Sequence, residues 1–275
     1  MHADCPERTA NRSIPVVEPT IAQLLDPLLE RERLGHSRLS YSPVGEFHHG
    51  TCQYRLPRFV FRGPPGGHDP IRLGIFAAIH GDEPEGAIAL RDFLLALDDN
   101  PALAQGYELY AYPVCNPSGF EDRTRLSRAG LDLNREFWHG SKQPEIYFLE
   151  RELGVQQFAG LVALHSDDTC DGAYAYVRGA TLTEALAKPA LAAAAKFLPL
   201  ATGETIDGFP ARDGLISQCY EGVLSNPAEL SPLPFEIIFE TPQGAPAANQ
   251  VAGALAALDT ILREYRQFLA YGQDL

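Results

Sequence analysis

The sequence predicts a single α/β domain in which helices cover both faces of a largely parallel or mixed sheet. Short apolar stretches of strand character alternate with helical patterns along the chain, which is typical of such sheets. The 275 residues fit one α/β domain, and no internal repeat or linker divides them. Because 45% of the residues are hydrophobic and 21% are charged, a sizeable core is available. We therefore expect residues 1–275 to form one domain.

The N-terminal part contains few regular elements. Residues 1–18 are expected to form an irregular arm, and residues 21–34 have apolar side chains at helical spacing with a kink at Pro27. We group residues 1–50 as this arm and helix. Residues 53–62 then predict a strand.

The central stretch of the chain is residues 71–83. It is an apolar run of strand character that leads to His80 and then to Glu83. Pro84 fits the first position of a helix, which we expect to end near residue 97. This stretch therefore places an imidazole and a carboxylate at a strand-to-helix turn, where open α/β sheets keep their ligand sites.

The rest of the chain continues the alternation, apart from one long segment of charged and turn-forming residues. An irregular stretch of that length in a compact domain suggests a function. In order, we expect a strand (107–115), this irregular segment (116–137), a helix (144–157), two strands (160–165 and 173–177), a helix (181–197), a mixed region (199–234), a strand (235–240) and a helix (247–268).

The charge of the chain limits its partners. The formal net charge is −14, which argues against binding to nucleic acid or to an anionic membrane. The N-terminus has no apolar core of a secretory signal, and no apolar run is long enough to cross a membrane. A cytoplasmic protein is therefore expected.

The cysteines are few and scattered. No CxxC pair occurs, so neither a zinc knuckle nor a thioredoxin-like motif is present. We expect reduced and mostly buried thiols. The five positions are Cys5, Cys52, Cys115, Cys170 and Cys219.

Three apolar strands lead to side chains that can carry chemistry, namely His80, His165 and Glu240. Taken singly, each histidine is explained equally well as a histidine at the sheet edge, and Glu240 as a helix-capping acid. Together they are expected to meet, because the carboxyl ends of parallel strands lie at one edge of a sheet. With Glu83, the two histidines supply the two nitrogens and one carboxylate of a hydrolytic zinc site. Glu240 is then the candidate general base.

The irregular segment adds positive charge. Arginine suits the bidentate binding of a carboxylate and the stabilisation of a developing oxyanion. The candidates in this segment are Arg123, Arg125, Arg128 and Arg135.

Several short motifs occur in a fixed order between roughly residues 70 and 245. They are His80-x-x-Glu83, Asn116-Pro-x-Gly119, Arg125 followed by Gly130-Leu-Asp-Leu-Asn-Arg135, Leu164-His165-Ser166, and Glu240-Thr-Pro. This ordered set resembles the zinc carboxypeptidase family, carboxypeptidase A-like, and its aspartoacylase and succinylglutamate desuccinylase relatives. The resemblance implies a single-domain three-layer sandwich with a mixed, mostly eight-stranded central sheet.

The resemblance also implies roles by position. It makes His80, Glu83 and His165 the ligands of one Zn²⁺ ion and Glu240 the catalytic glutamate.

In the irregular segment, it assigns Asn134 and Arg135 to the terminal carboxylate of a substrate. Arg125 best matches the arginine that assists the oxyanion, with Arg128 as the alternative. Asp132 matches a carboxylate that orients the first zinc histidine, which is a common arrangement around zinc.

Other polar residues near these motifs have two readings. Tyr220 lies where the family has a mobile tyrosine near the substrate carboxylate, and it equally fits a packed surface aromatic. The acids that follow His165 form a solvated loop or recognise an amino group or a basic side chain on the substrate. They are Asp167, Asp168 and Asp171. His68 and His139 are expected to be loop histidines.

These features predict a zinc-dependent hydrolase of an amide bond next to a free carboxylate. The first choice is a metallocarboxypeptidase that acts on small peptides. The alternative is an N-acyl amino acid deacylase of the aspartoacylase or desuccinylase type. A non-catalytic binding module is the third reading, and the presence of Glu240 beside a complete ligand set argues against it.

Overall fold

The computed structural model describes residues 19–273, so the expected arm at residues 1–18 lies outside the described part. The fold in this part is a sheet with helices on both faces, as the sequence predicts. Its helices are α1 (Ile21–Arg33), α2 (Pro84–Asp99), α3 (Pro117–Asp122), α4 (Pro144–Gln156), α5 (Thr183–Ala194) and α6 (Ala247–Gln273). None of them is both long and apolar enough to cross a membrane.

Twelve strands occur in the described residues, ten of them in the central sheet. They are β1 (Leu39–Tyr41), β2 (Gly45–His49), β3 (Cys52–Leu56), β4 (Phe59–Arg62), β5 (Ile71–Ala77), β6 (Tyr107–Tyr112), β7 (Gly160–Asp167), β8 (Tyr174–Gly179), β9 (Thr205–Ile206), β10 (Phe209–Arg212), β11 (Leu215–Ile216) and β12 (Phe235–Pro242).

The sheet is mixed, with a parallel centre. Its strand order is β1-β4-β6-β5-β7-β12-β8-β11-β10-β9, and β2 pairs with β3 outside it. Strands β6, β5, β7 and β12 are mutually parallel, whereas β4 and β8 run antiparallel to their central neighbours. Because the centre is parallel, the carboxyl ends of β5, β7 and β12 lie at the same edge.

The sheet has ten strands rather than the mostly eight that the family resemblance implies. The mixed region at residues 199–234 contains three short strands, β9 to β11, that extend one edge. Asp207-Gly208 and Asp213-Gly214 connect them, with φ values of 47°, 76°, 55° and 75° in that order. Asp-Gly is a favoured pair for such tight hairpin turns, because both central residues need positive φ.

Two apolar cores lie on opposite faces of the sheet. Leu73 and Ile75 of β5 belong to the core beneath α1, α2, α5 and α6, while Phe76 belongs to the core that includes α4. This division follows from the two-residue period of a strand. The central strands are therefore buried on both faces, which explains their continuous apolar sequences.

Some boundaries differ from the sequence-based expectation. The single strand expected at residues 53–62 is two strands, β3 and β4, separated at Pro57, which has no N–H for a sheet ladder. The described part of residues 19–50 contains β1 and β2 as well as the expected helix, and α1 continues through Pro27.

The four described cysteines are free but less buried than expected. In the described residues only Cys115 is buried, Cys170 and Cys219 are half-buried, and Cys52 is exposed. The fifth, Cys5, lies outside the described part.

Candidate metal centre and active site

The turn after β5 presents two of the predicted metal ligands. Beyond Ala77 the chain adopts a left-handed conformation at Ala78, with φ of 48°, and Pro84 then begins α2. Gly81 lies in this turn against the backbone of Gly119, and a Cβ at Gly81 would be 1.9 Å from the Gly119 carbonyl carbon. The backbone path of this turn therefore requires glycine at position 81.

The third ligand and the candidate base come from neighbouring strands. His165 of β7 is paired with Glu240 of β12 in a parallel register, and β5 lies on the other side of β7. The sheet thus brings these strand ends together, as predicted.

His80, Glu83 and His165 form a compact buried triad. His80 Nδ1 lies 2.6 Å from Glu83 Oε1, and His165 Nδ1 lies 3.0 Å from Glu83 Oε2. The three side chains offer ligand atoms within 4.8 Å of one another, and each residue is at most 5% exposed. Glu83 occupies the N-cap position of α2 but makes no capping hydrogen bond, so its side chain does not serve as a helix cap.

The electrostatics of the triad suit a cation. Burial opposes ionisation of Glu83, but the two imidazoles lower its pKa to about 2. Burial also opposes charging of His80, yet Glu83 and Asp132 raise its pKa to about 9. For His165 burial prevails and lowers the pKa, which favours the neutral imidazole that metals bind. Two imidazole nitrogens and an ionised carboxylate therefore fit a divalent ion such as Zn²⁺.

Asp132 lies behind the triad, as the sequence predicts. Its Oδ1 is 3.2 Å from His80 Nε2, the ring nitrogen that faces away from Glu83. A carboxylate there fixes the imidazole orientation and leaves Nδ1 as the ligand atom. Asp132 also binds Arg125, whose Nε and Nη2 donate to Oδ2 at 3.1 and 3.0 Å.

The structure distinguishes the two arginine candidates by position. Arg125 Nη1 lies 3.3 Å from His80 Nδ1 and 3.9 Å from Glu83 Oε1. Arg128 instead binds Asp122 and the Tyr54 hydroxyl, outside the pocket. Only Arg125 of the two therefore has its guanidinium beside the triad.

Asn134, Arg135 and Tyr220 line the same pocket. The Asn134 side chain is buried and accepts a hydrogen bond from the Leu224 amide at 2.9 Å. The Arg135 guanidinium lies over the Tyr220 ring, 4.2 Å from its centroid. Arg135 has no carboxylate partner among the described ion pairs, so it can receive an anionic ligand.

Glu240 lies buried in the same pocket. Burial raises its pKa well above the usual value, and the charges of Glu83 and Asp167 raise it further. Apart from Asp132, every metal, catalytic and substrate-binding residue predicted from the sequence lines this pocket. A larger cavity of about 800 Å³ adjoins it across Cys219 and Tyr220, but contains neither the triad nor Glu240.

Two tyrosines and an aspartate are among the pocket residues that the sequence analysis did not find. Tyr174 and Tyr176 of β8 line the pocket, as does Asp207 in the β9–β10 turn. The alternating Tyr-Ala-Tyr-Val pattern, which places both tyrosines on one face, was an available signal for the tyrosines. The sequence contains no such signal for Asp207, because nothing in the turn-rich region shows which turn faces the site.

The acids in the loop after His165 differ in position, so some fit the prediction of a solvated loop and one fits the prediction of a substrate contact. Asp167 lines the pocket, whereas Asp168 and Asp171 are exposed outside it. His68 and His139 are exposed loop histidines, as expected.

The chain resembles solved structures that share its fold. A provisionally named metallopeptidase from Shewanella amazonensis matches with a TM-score of 0.73 and 23% identity, covering 88% of this chain and 92% of the other. A metallo-carboxypeptidase from Pseudomonas aeruginosa, in complex with (2-guanidinoethylmercapto)succinic acid, matches with a TM-score of 0.63 and 19% identity. That match covers 88% of this chain and 67% of the other. At these identities, the likeness concerns the fold.

A family comparison adds evidence from the sequence. Residues 70–171 match the succinylglutamate desuccinylase/aspartoacylase catalytic domain. Comparison with curated proteins gives no match. The resemblance to the zinc carboxypeptidase family and its aspartoacylase relatives is thus confirmed, by the family match over residues 70–171 and by the fold of the solved structures.

Proposed function

We propose that this protein is a zinc-dependent hydrolase that cleaves an amide bond next to a free carboxylate. The observation that carries the proposal is one pocket that contains the buried His80–Glu83–His165 triad, the carboxylate of Glu240 and the guanidinium of Arg135, which has no ion-pair partner among residues 19–273. The triad is the part that would hold the metal. When bound, a zinc ion supplies Lewis-acid polarisation of a carbonyl and lowers the pKa of a water molecule.

The other charged residues near the triad have separate roles in the proposed reaction. Glu240 accepts the proton of the attacking water and passes it to the leaving nitrogen, for which its raised pKa is suited. Arg125 places positive charge where an oxyanion develops. Arg135 holds the substrate carboxylate and so fixes the position of the amide.

The favoured substrates are small peptides with a free C-terminus. Support comes from the fold, since the similar Pseudomonas aeruginosa protein is a metallo-carboxypeptidase that holds a dicarboxylate with a guanidino group. The second candidate is an N-acyl amino acid deacylase. It is favoured by the family match over residues 70–171, which contain all three proposed metal ligands and the arginine segment.

A paired measurement tests the proposal. Zinc content is measured by elemental analysis on the sample used to assay free and C-terminally amidated dipeptides, acetyl-aspartate and succinyl-glutamate. Stoichiometric zinc with cleavage of free dipeptides, and with little cleavage of the amides, is expected. Cleavage of the acylated amino acids alone would favour the second candidate, whereas equal rates on free and amidated dipeptides would remove Arg135 from its role. Absence of zinc after reconstitution would refute the metal centre.

A further inference from the structure

The pocket contains two acids, Asp167 and Asp207, whose charges the proposed reaction does not use. A bound metal ion would balance the charge of Glu83, and Arg125 balances that of Asp132. Asp167 accepts a hydrogen bond from the Thr169 amide of its own loop. Asp207 also lines the pocket, and in residues 19–273 no ion pair is formed with it.

Two tyrosine hydroxyls hold the Asp207 carboxylate. Tyr176 of β8 donates to Oδ2, and Tyr220 donates to Oδ1 at 3.1 Å. Burial raises the pKa of both phenols, so both remain protonated donors. A carboxylate has about four lone-pair positions, so Asp207 can still accept hydrogen bonds from a ligand.

The backbone at Asp207 does not require a charge. With Gly208, Asp207 forms the β9–β10 turn at positive φ, and Asn-Gly suits such a turn as well as Asp-Gly. The hairpin therefore explains a small polar residue here. It does not explain a carboxylate fixed by two phenols at the wall of a substrate pocket.

The Tyr220 ring relates Asp207 to the residue that would hold the substrate carboxylate. The Arg135 guanidinium lies on the face of this ring, and the hydroxyl at the edge of the same ring binds Asp207. The Tyr220 ring alone thus separates the Arg135 guanidinium, which would bind the substrate carboxylate, from the Asp207 carboxylate. A single amino acid with a carboxylate and a cationic side chain spans such a separation.

We propose that Asp207 recognises a cationic side chain on the amino acid that hydrolysis releases, which makes lysine-like or arginine-like residues the preferred leaving group. This inference rests on the proposed hydrolysis of an amide next to a carboxylate. Asp207 acts through charge-assisted hydrogen bonding to the ammonium or guanidinium group.

The experiment compares substrates that carry this charge with substrates in which acetylation removes it. The kcat/KM values of Ala-Lys and Ala-(Nε-acetyl-lysine) are measured, together with those of Nα-acetyl-lysine and Nα,Nε-diacetyl-lysine, so that peptidase and deacylase substrates are both covered. We expect the wild type to prefer the charged member of the cleaved pair by about tenfold or more. Asp207→Asn should lower kcat/KM for that member only.

Asp213→Asn is the matched control. Asp213 also begins an Asp-Gly turn at positive φ, but it is exposed and lies outside the pocket. This variant should keep the wild-type preference.

The inference is overturned if the wild type cleaves both members of a pair equally, or if Asp207→Asn keeps the preference. It is also overturned if other carboxylate-adjacent amides are cleaved and no lysine amide is, in which case the proposed function stands. If no amide of this kind is cleaved by the zinc-loaded protein, both proposals are refuted.

Discussion

At the scale of single residues, Glu240 provides the sharpest test of the chemistry. Glu240→Gln preserves the shape of the side chain but removes the acceptor for a proton. We expect it to keep bound zinc and to lose on the order of a hundredfold or more in kcat. Turnover is measured with zinc content determined on the same sample.

Asp168→Asn is the control for this variant, because Asp168 is an exposed acid of the loop after His165. It should retain normal turnover. A near-normal rate for Glu240→Gln would assign proton transfer to another group.

Asp132 is expected to influence the metal without touching it. Because its Oδ1 is the partner of His80 Nε2, Asp132→Asn should weaken zinc affinity about 10- to 100-fold. Competitive titration against a chromophoric chelator measures this change. Asp122→Asn, which alters the partner of the remote Arg128, should leave the affinity unchanged. Equal affinities for the two variants would contradict the orienting role.

The sequence predicts residues of the site well where a polar group follows an apolar strand. His80, His165 and Glu240 are of this kind, and the parallel centre of the sheet brings them together. Asp207 is not, because it reaches the pocket on the short β9–β10 hairpin, which joins the sheet through β11 and its pairing with β8. The choice between Arg125 and Arg128 was open for the same reason, since both lie in a segment without a periodic pattern.

At the scale of elements, the turn between β5 and α2 depends on Gly81. In Gly81→Ala the new Cβ would collide with the Gly119 backbone, which cannot yield as a flexible side chain would. We expect a loss of about 1–3 kcal/mol in the free energy of unfolding, together with weaker zinc binding, because the same turn carries His80 and Glu83. Denaturant unfolding and zinc titration measure the two effects.

Gly154→Ala is the matched control, since it lies exposed in α4 with no atom within 4 Å of the added Cβ. It should be neutral or stabilising by about 0.5–1 kcal/mol. Equal stabilities for the two variants would show that the turn can move without cost.

The elements themselves were predictable to different degrees. The long apolar strands and the main helices follow from periodicity, and their observed bounds differ from the expected ones by a few residues. The strands β9 to β11 were missed because two of them have only two residues, too few for an alternating pattern. Their positions depend on the Asp-Gly turns and on pairing with β8.

At the scale of the whole molecule, the metal should stabilise the fold. The turn that carries His80 and Glu83 is distant along the chain from His165, so the triad is assembled only in the folded chain and a bound ion favours the native state. At a free zinc concentration of 1,000 times Kd, the gain is about 4 kcal/mol. A strong chelator should therefore lower Tm, and restored zinc should raise it again.

His80→Ala is the control for this effect. Because the variant loses a ligand, it should bind no zinc and its Tm should not respond to chelator. A response equal to that of the wild type would place the stabilising metal elsewhere in the chain.

The position of β12 has a consequence for synthesis of the protein. This strand follows every other described strand in the chain, yet it lies between β7 and β8 in the sheet. A nascent chain that ends before residue 235 thus lacks the strand that separates two apolar neighbours and satisfies their facing edges. Released fragments of this length are expected to aggregate, so the ribosome must deliver residues 235–242 before the sheet can close.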